Sequence, residues 1–281
     1  MVFEHEIPKG SRLYFGKAAR AKRELEYKMS NLLCDNGFEE VLTPNFSYSQ
    51  HQSITNEKKL IKFSDEQNEQ VSLRADSTLD VVRIITKRLG RTTDHKKWFY
   101  IQPVFTYPSS EDYQIGCEWI AHDNIGDILN LTGTILNSLN INPILQLSNI
   151  NIPKLVAKEL DIEIELFQNG EIAKLFELKI SWLNELIKVK NIEDLEKTME
   201  VIPSTIKFEL EKLLKTAKEV EYKNLVIAPL YHDTLKYYDD VYYRVIQDNY
   251  VLFKGGKYSA DGISSLGFAL YTDSLLKILE D

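Results

Sequence analysis

Gln114 and Glu118 stand four residues apart in an aromatic run, Tyr113 to Ile120. If that run is a strand, both side chains project from one face, because side chains alternate with period two. Glu118 lies between Cys117 and Trp119. Desolvating a lone carboxylate there is costly, so it calls for a cationic or N–H partner, unless it sits at a sheet edge or in a purely structural hydrogen bond. Asp76 and Thr78 share a side if the strand before them persists to Thr78; helix capping is their competing role. Tyr237, Tyr238, Tyr242 and Tyr243 divide between two faces of a strand, where core packing competes with ligand contact. Gly255-Gly256-Lys257-Tyr258 is either a hairpin turn or a place where a ligand approaches the backbone. Taken together, these residues describe an acceptor-rich pocket with aromatic walls, suited to a small cationic or amine ligand. No nucleophile–base pair, Walker loop or metal motif accompanies them. The five histidines (5, 51, 95, 122 and 232) have no metal-ligand spacing. No catalytic residue and no metal is therefore expected.

The elements that must position these groups follow from periodicity. A turn-like start at residues 7–10 precedes a helix over about 18–36, whose apolar face is Ala21, Leu25, Met29, Leu32 and Leu33, stopped by Asn36-Gly37. Residues 38–43 read as a strand ended by Pro44. A polar stretch, 47–68, offers only Leu60-Ile61 for packing, and 71–74 is a short strand. Residues 77–89 form an amphipathic helix with Ser77 or Asp76 as N-cap. The dense aromatic and β-branched runs 98–105 and 113–120 flank a turn composition at 107–112 and predict an antiparallel hairpin. Residues 123–220 are mostly helical, with one strand at 144–147 and a clean stripe of Ile206, Leu210, Leu213, Leu214 and Ala217 that reads as core packing. Strands return at 225–227, 236–246, 250–254 and 266–272, before a last helix at 273–279. The plan is α+β: a discontinuous core domain, 1–122 and 223–281, interrupted by a mainly helical insertion, 123–222.

Composition bounds the rest. A chain of 281 residues with 43% apolar residues can bury a substantial core, which excludes wholesale disorder. With 34 basic against 42 acidic residues the net charge is -8, the wrong sign for a protein held on nucleic acid by bulk charge. No apolar run is long enough for a membrane span, and the charged N-terminus has no signal-peptide stretch. Two cysteines, Cys34 and Cys117, make neither a disulfide scaffold nor a metal cage, so a reduced cytoplasmic setting is expected.

Six segments, in this order, resemble the catalytic core of histidyl-tRNA synthetase and its paralogues. Glu40 to Pro44 fits the first class II motif, the dimer interface of that family. Leu73-Arg74-Ala75-Asp76-Ser77-Thr78 is similar to the amino-acid-binding segment LRPEGT. Val104-Phe105 followed by Gln114-Ile115-Gly116-Cys117-Glu118 looks like the second class II motif. Leu235-Lys236-Tyr237-Tyr238 resembles the histidine-specific segment ending LDYY, and Gly255-Gly256-Lys257-Tyr258 the second such segment, GGRY. Gly267-Phe268-Ala269-Leu270 looks like the third class II motif. The resemblance spans about residues 7–279, the helical middle by position alone. It implies a class II synthetase-like antiparallel sheet flanked by helices. It also implies a histidine pocket in which Gln114 and Asp76 hold the α-ammonium, Glu118 and Tyr238 face the imidazole, and Thr78 and Tyr258 line the walls.

The departures from the family pattern concern the nucleotide. The arginine of the second motif is Thr106 here, that of the third is Ser274, and the Arg-Gly before LDYY is Asp233-Thr234. Adenylate formation builds charge on phosphates that arginine forks stabilise, and each lost group costs about two to three orders of magnitude in rate. Asp233 would add repulsion towards a triphosphate. The chain also stops after the third motif, where the family continues into an anticodon-binding domain. The resemblance thus implies the paralogous branch that works as a non-catalytic regulatory subunit of ATP phosphoribosyltransferase in histidine biosynthesis. That branch associates with a short-form catalytic subunit, as a homodimer within a hetero-oligomer. It needs no cofactor and takes histidine as a possible effector, bound weakly or not at all because Thr106 and Asp233 remove cationic partners of the ligand carboxylate. The alternatives are a stand-alone amino-acid-activating enzyme and a scaffold that binds no ligand.

Overall fold

A computed structural model describes residues 6–51, 57–233, 238–260 and 262–280. The strands are β1 (Glu39–Glu40), β2 (Phe46–Tyr48), β3 (Lys62–Ser64), β4 (Gln70–Leu73), β5 (Lys97–Thr106), β6 (Ser110–Ile120), β7 (Ile144–Asn149), β8 (Leu225–Ile227), β9 (Tyr238–Gln247), β10 (Tyr250–Ala260) and β11 (Ile263–Tyr271). The helices are α1 (Gly16–Asp35), α2 (Thr78–Lys87), α3 (Ile125–Ser138), α4 (Asn151–Leu160), α5 (Glu165–Gln168), α6 (Ile172–Glu177), α7 (Ser181–Lys188), α8 (Ile192–Thr198), α9 (Ser204–Glu219) and α10 (Thr272–Glu280). The chain divides into two compact units, Met1–Ala121 with Ala260–Ile263 and Gly267–Asp281, and His122–Ser259 with Ser264–Leu266.

In the first unit the strand order is β1-β5-β6-β11. β1 runs parallel to β5, with Glu39 opposite Trp98. β5 and β6 form the expected antiparallel hairpin, with Tyr100 opposite Gly116 and Gln102 opposite Gln114. Met29 and Leu33 of α1, Val81, Val82 and Ile85 of α2, and Phe99, Tyr100 and Ile115 of the hairpin are all buried. The polar stretch from residue 47 is more structured than its composition suggests: β2 and β3 flank β4 in a separate antiparallel three-stranded sheet. These strands are only 3 residues each, too short for a period to be read from the sequence. The expected strand over 38–43 shrinks to the two residues of β1.

In the second unit β10, β9 and β7 are successive antiparallel neighbours, and β7 carries β8 in parallel. The stripe on α9 is core as expected: Ile206, Leu210 and Leu213 are fully buried. Gly255-Gly256 is no hairpin turn; both residues lie inside β10, opposite Tyr243 and Tyr242. A Cβ at Gly256 would come within 2.6 Å of the Tyr242 Cβ and 2.8 Å of its Cα, so glycine here admits the partner strand's tyrosine. The fold is thus α+β with a mixed, mainly antiparallel sheet flanked by helices. Among the described residues no helix is long and apolar enough to cross a membrane, and no cluster of side chains could hold a metal.

Candidate functional site

The first unit brings Asp76, Thr78 and Glu118 around one residue that the sequence reading passed over, Tyr100. Its hydroxyl donates to Glu118 Oε1 at 3.3 Å and lies 3.4 Å from Thr78 Oγ1. The hairpin register explains this. Tyr100 and Gly116 are direct partners, so the ring must lie across the Gly116 backbone, and a Cβ there would overlap the ring. Gln114, Gly116 and Glu118 alternate onto one face, and the absent side chain in the middle leaves the space that Tyr100 fills. Gly267 does the same from β11: a Cβ there would overlap Glu118 Oε2 and approach the Cys117 carbonyl oxygen to 2.6 Å. Glu118 is fully buried. Its field, added to burial, pushes the Tyr100 hydroxyl and the Cys117 thiol well above their ordinary values, so both stay protonated at neutral pH.

Asp76 ends the segment after β4 and accepts from the Leu79 backbone N–H at 3.3 Å. It, rather than Ser77, therefore caps α2; Ser77 Oγ instead accepts from Gln102 Nε2 at 3.1 Å. Asp76 keeps an edge in solvent, yet its carboxyl rises to about 6. Desolvation is the main cause, opposed by N–H donation from Leu79 and Thr78, and Asp80 adds its repulsion. Gln114 lies across from Gln102, half-buried. The segment is stapled by Arg74, which is completely buried. Its guanidinium donates to the carbonyls of Thr43, Pro44 and Pro103 and to Asn45 Oδ1, all within 3.1 Å.

Tyr238 and Tyr258 lie in the second unit, where they are cross-strand partners on β9 and β10 and both are buried. Tyr238 stacks on Tyr242 at 5.4 Å. Asp233 is buried in the same unit, 2.8 Å from Lys254 Nζ, and accepts from the Tyr231 hydroxyl at 3.2 Å. Its charge is thus compensated within the fold. Thr106 closes β5 opposite Ser110, and Ser274 stands on α10. Thr234, Leu235, Lys236 and Tyr237 lie outside the described residues.

A buried cluster of two carboxylates, one with an elevated pKa, and a tyrosine hydroxyl can hold a small cation that donates hydrogen bonds. The raised pKa of Asp76 also fixes a sign. Its folded value, about 6, exceeds the ordinary value of 3.8. The destabilisation is therefore absent below about pH 4, grows as the pH rises, and is complete above about pH 6. Asp76→Asn should remove that dependence and raise stability near neutral pH by roughly 1–3 kcal/mol. Urea unfolding of both proteins across this pH range checks it; parallel pH profiles would refute the assignment.

The chain belongs to the histidyl-tRNA synthetase family: that family's sequence profile matches residues 14–275. Full-length relatives narrow the placement. The ATP phosphoribosyltransferase regulatory subunit of Wolinella succinogenes is 46% identical over 277 residues, covering 99% of this chain and 96% of that one. The protein of the same name from Helicobacter hepaticus is 40% identical and covers 99% of both chains. A crystal structure of an ATP phosphoribosyltransferase regulatory subunit/histidyl-tRNA synthetase from Bacillus halodurans superposes with a TM-score of 0.83 at 17% identity, over 100% of this chain and 84% of that one. At that identity it speaks for the fold alone.

Proposed function

We propose that this chain is a non-catalytic regulatory subunit of ATP phosphoribosyltransferase in histidine biosynthesis. In this reading it works as a homodimer within a hetero-oligomer with a short-form catalytic subunit, in the cytoplasm, and free histidine is its effector. The observation that carries the regulatory reading is the end-to-end match to two regulatory subunits at 46% and 40% identity. The absence of arginine at Thr106, Asp233 and Ser274 supports a subunit without aminoacylation chemistry.

The effector reading rests on the buried acceptors. Asp76 and Gln114 take the α-ammonium, Glu118 takes an imidazole N–H, and Thr78 lines the site; Tyr238 and Tyr258 are the histidine-binding residues assigned to the second unit. No cofactor or metal takes part. Regulation requires that histidine bind one state of the complex better than another, and a tenfold preference corresponds to about 1.4 kcal/mol of coupling. Coexpression with a short-form catalytic subunit should yield a stable mixed oligomer whose phosphoribosyltransferase activity falls when histidine is added. No complex at micromolar concentration would overturn the regulatory reading. A complex indifferent to histidine would overturn the effector reading and leave a scaffold.

A further inference from the structure

The second unit contains a cavity of about 220 Å³, unconnected with the acceptor cluster. Phe167, Ile172, Leu186, Val189, Pro229 and Leu230 form its apolar walls. Its polar side is Arg244 on β9 and Gln146 on β7, directly opposite each other in the ladder. Arg244 Nε and Nη2 both donate to Gln146 Oε1, at 3.3 and 2.9 Å. The guanidinium carbon lies over the Tyr231 ring, 3.8 Å from its centroid.

Two features of this wall are incomplete. Gln146 is 8% exposed, and its oxygen is committed to Arg244. That orientation leaves the amide Nε2 buried without an acceptor. A buried donor lacking a partner costs about 1–3 kcal/mol and persists where a ligand supplies the acceptor. Arg244 is also the only charged residue lining the cavity, and among the described residues no carboxylate bridges it. Asp233, whose carboxylate accepts from the hydroxyl of the same Tyr231, is held by Lys254 at 2.8 Å. The half-buried cation thus faces a neutral amide, the Tyr231 phenol and apolar side chains. The cavity has room for roughly seven waters at ~30 Å³ each, and its walls favour an apolar body over water.

From this geometry we propose that the cavity is a binding site for a small monocarboxylic acid with an apolar body, its carboxylate held by Arg244 and the Gln146 amide. Guanidinium and amide donors side by side match the two oxygens of a carboxylate, and the six apolar walls select against polar acids such as free amino acids.

Phenylacetate is the probe, with phenylacetamide as its neutral isostere, titrated into the full chain. Methyl-resolved NMR follows Leu186, Val189 and Ile172. Phenylacetate should shift these methyls and bind at least about tenfold more tightly than the amide, the size of one charge-assisted hydrogen bond. Arg244→Gln should erase that preference while leaving weak binding of the amide. Ile187→Trp, which fills the cavity from its partly exposed edge, should remove both and guards against an Arg244 variant that fails to fold. The proposal is overturned if the methyls do not respond at millimolar phenylacetate, if acid and amide bind alike, or if either variant binds phenylacetate as the wild type does.

Discussion

Glu118→Ala should abolish histidine binding, with an affinity loss of at least about a hundredfold. The side chain is fully buried, so its attraction for an imidazole N–H is little screened, and deleting one member of a desolvated charged pair costs about 2–5 kcal/mol. Tyr100 cannot take over, because burial, the main cause of its raised pKa, persists without the carboxylate and keeps its hydroxyl protonated. Glu118→Gln keeps the shape and removes the charge; it should lose about tenfold or more, which isolates the charge-assisted part. Neither variant should unfold the protein. Glu118→Gln keeps an acceptor for the Tyr100 hydroxyl, whereas Glu118→Ala leaves that hydroxyl unpaired and should cost about 1–3 kcal/mol of stability. Calorimetric titration of histidine into the three proteins near neutral pH checks this. Wild-type affinity in Glu118→Ala would end the assignment, and no heat with the wild type would end the effector reading itself.

The sequence made Glu118 conspicuous for a physical reason: a carboxylate inside an aromatic strand has few tolerable explanations. The hairpin, the helices around 78–87 and 204–219 and the strand at 225–227 were legible because long amphipathic patterns and dense β-branched runs are strong local signals. What stayed hidden depends on register. Tyr100 looks like any strand tyrosine until its pairing with Gly116 places it over a residue with no side chain. Gly267 looks like a loose strand position until β11 lies beside β6. Two residues have roles that the sequence did not show. Asp233, expected as a repulsive charge, is neutralised by Lys254, which nothing within hydrogen-bonding distance along the sequence could reveal. Gly256, expected at a turn or a ligand approach, serves the close crossing of Tyr242. The short strands β2 and β3 escaped because three residues carry no measurable period.

Arg74→Met should be the most destabilising conservative change in the first unit, by at least about 3 kcal/mol. The segment resembling LRPEGT owes its shape to this side chain more than to hydrophobic burial. Arg74 donates to the Pro103 carbonyl from both Nε and Nη2, to the Thr43 and Pro44 carbonyls and the Thr43 hydroxyl from Nη1, and to Asn45 Oδ1 from Nη2. It thus ties the chain before β2 and the middle of β5 to the turn that carries Asp76. Methionine fills a similar volume but leaves these acceptors unpaired, at about 1–3 kcal/mol for each one that water cannot reach. Burial lowers the pKa of the guanidinium, but not enough for it to lose its proton at any ordinary pH. The staple should therefore hold from acid to alkaline solution. Lysine cannot replace it, having three donors on one atom where the acceptors surround a planar fork. Thermal unfolding should show the transition lowered by roughly 6–12 °C, at about 2–4 °C per kcal/mol for a unit of this size. Histidine binding should fall as well, because Asp76 and Ser77 lose their anchor, whereas Gln146 and Arg244 in the second unit should bind phenylacetate unchanged. A Met variant as stable as the wild type would mean that main-chain pairing of β4 and β5 alone shapes the Asp76 turn.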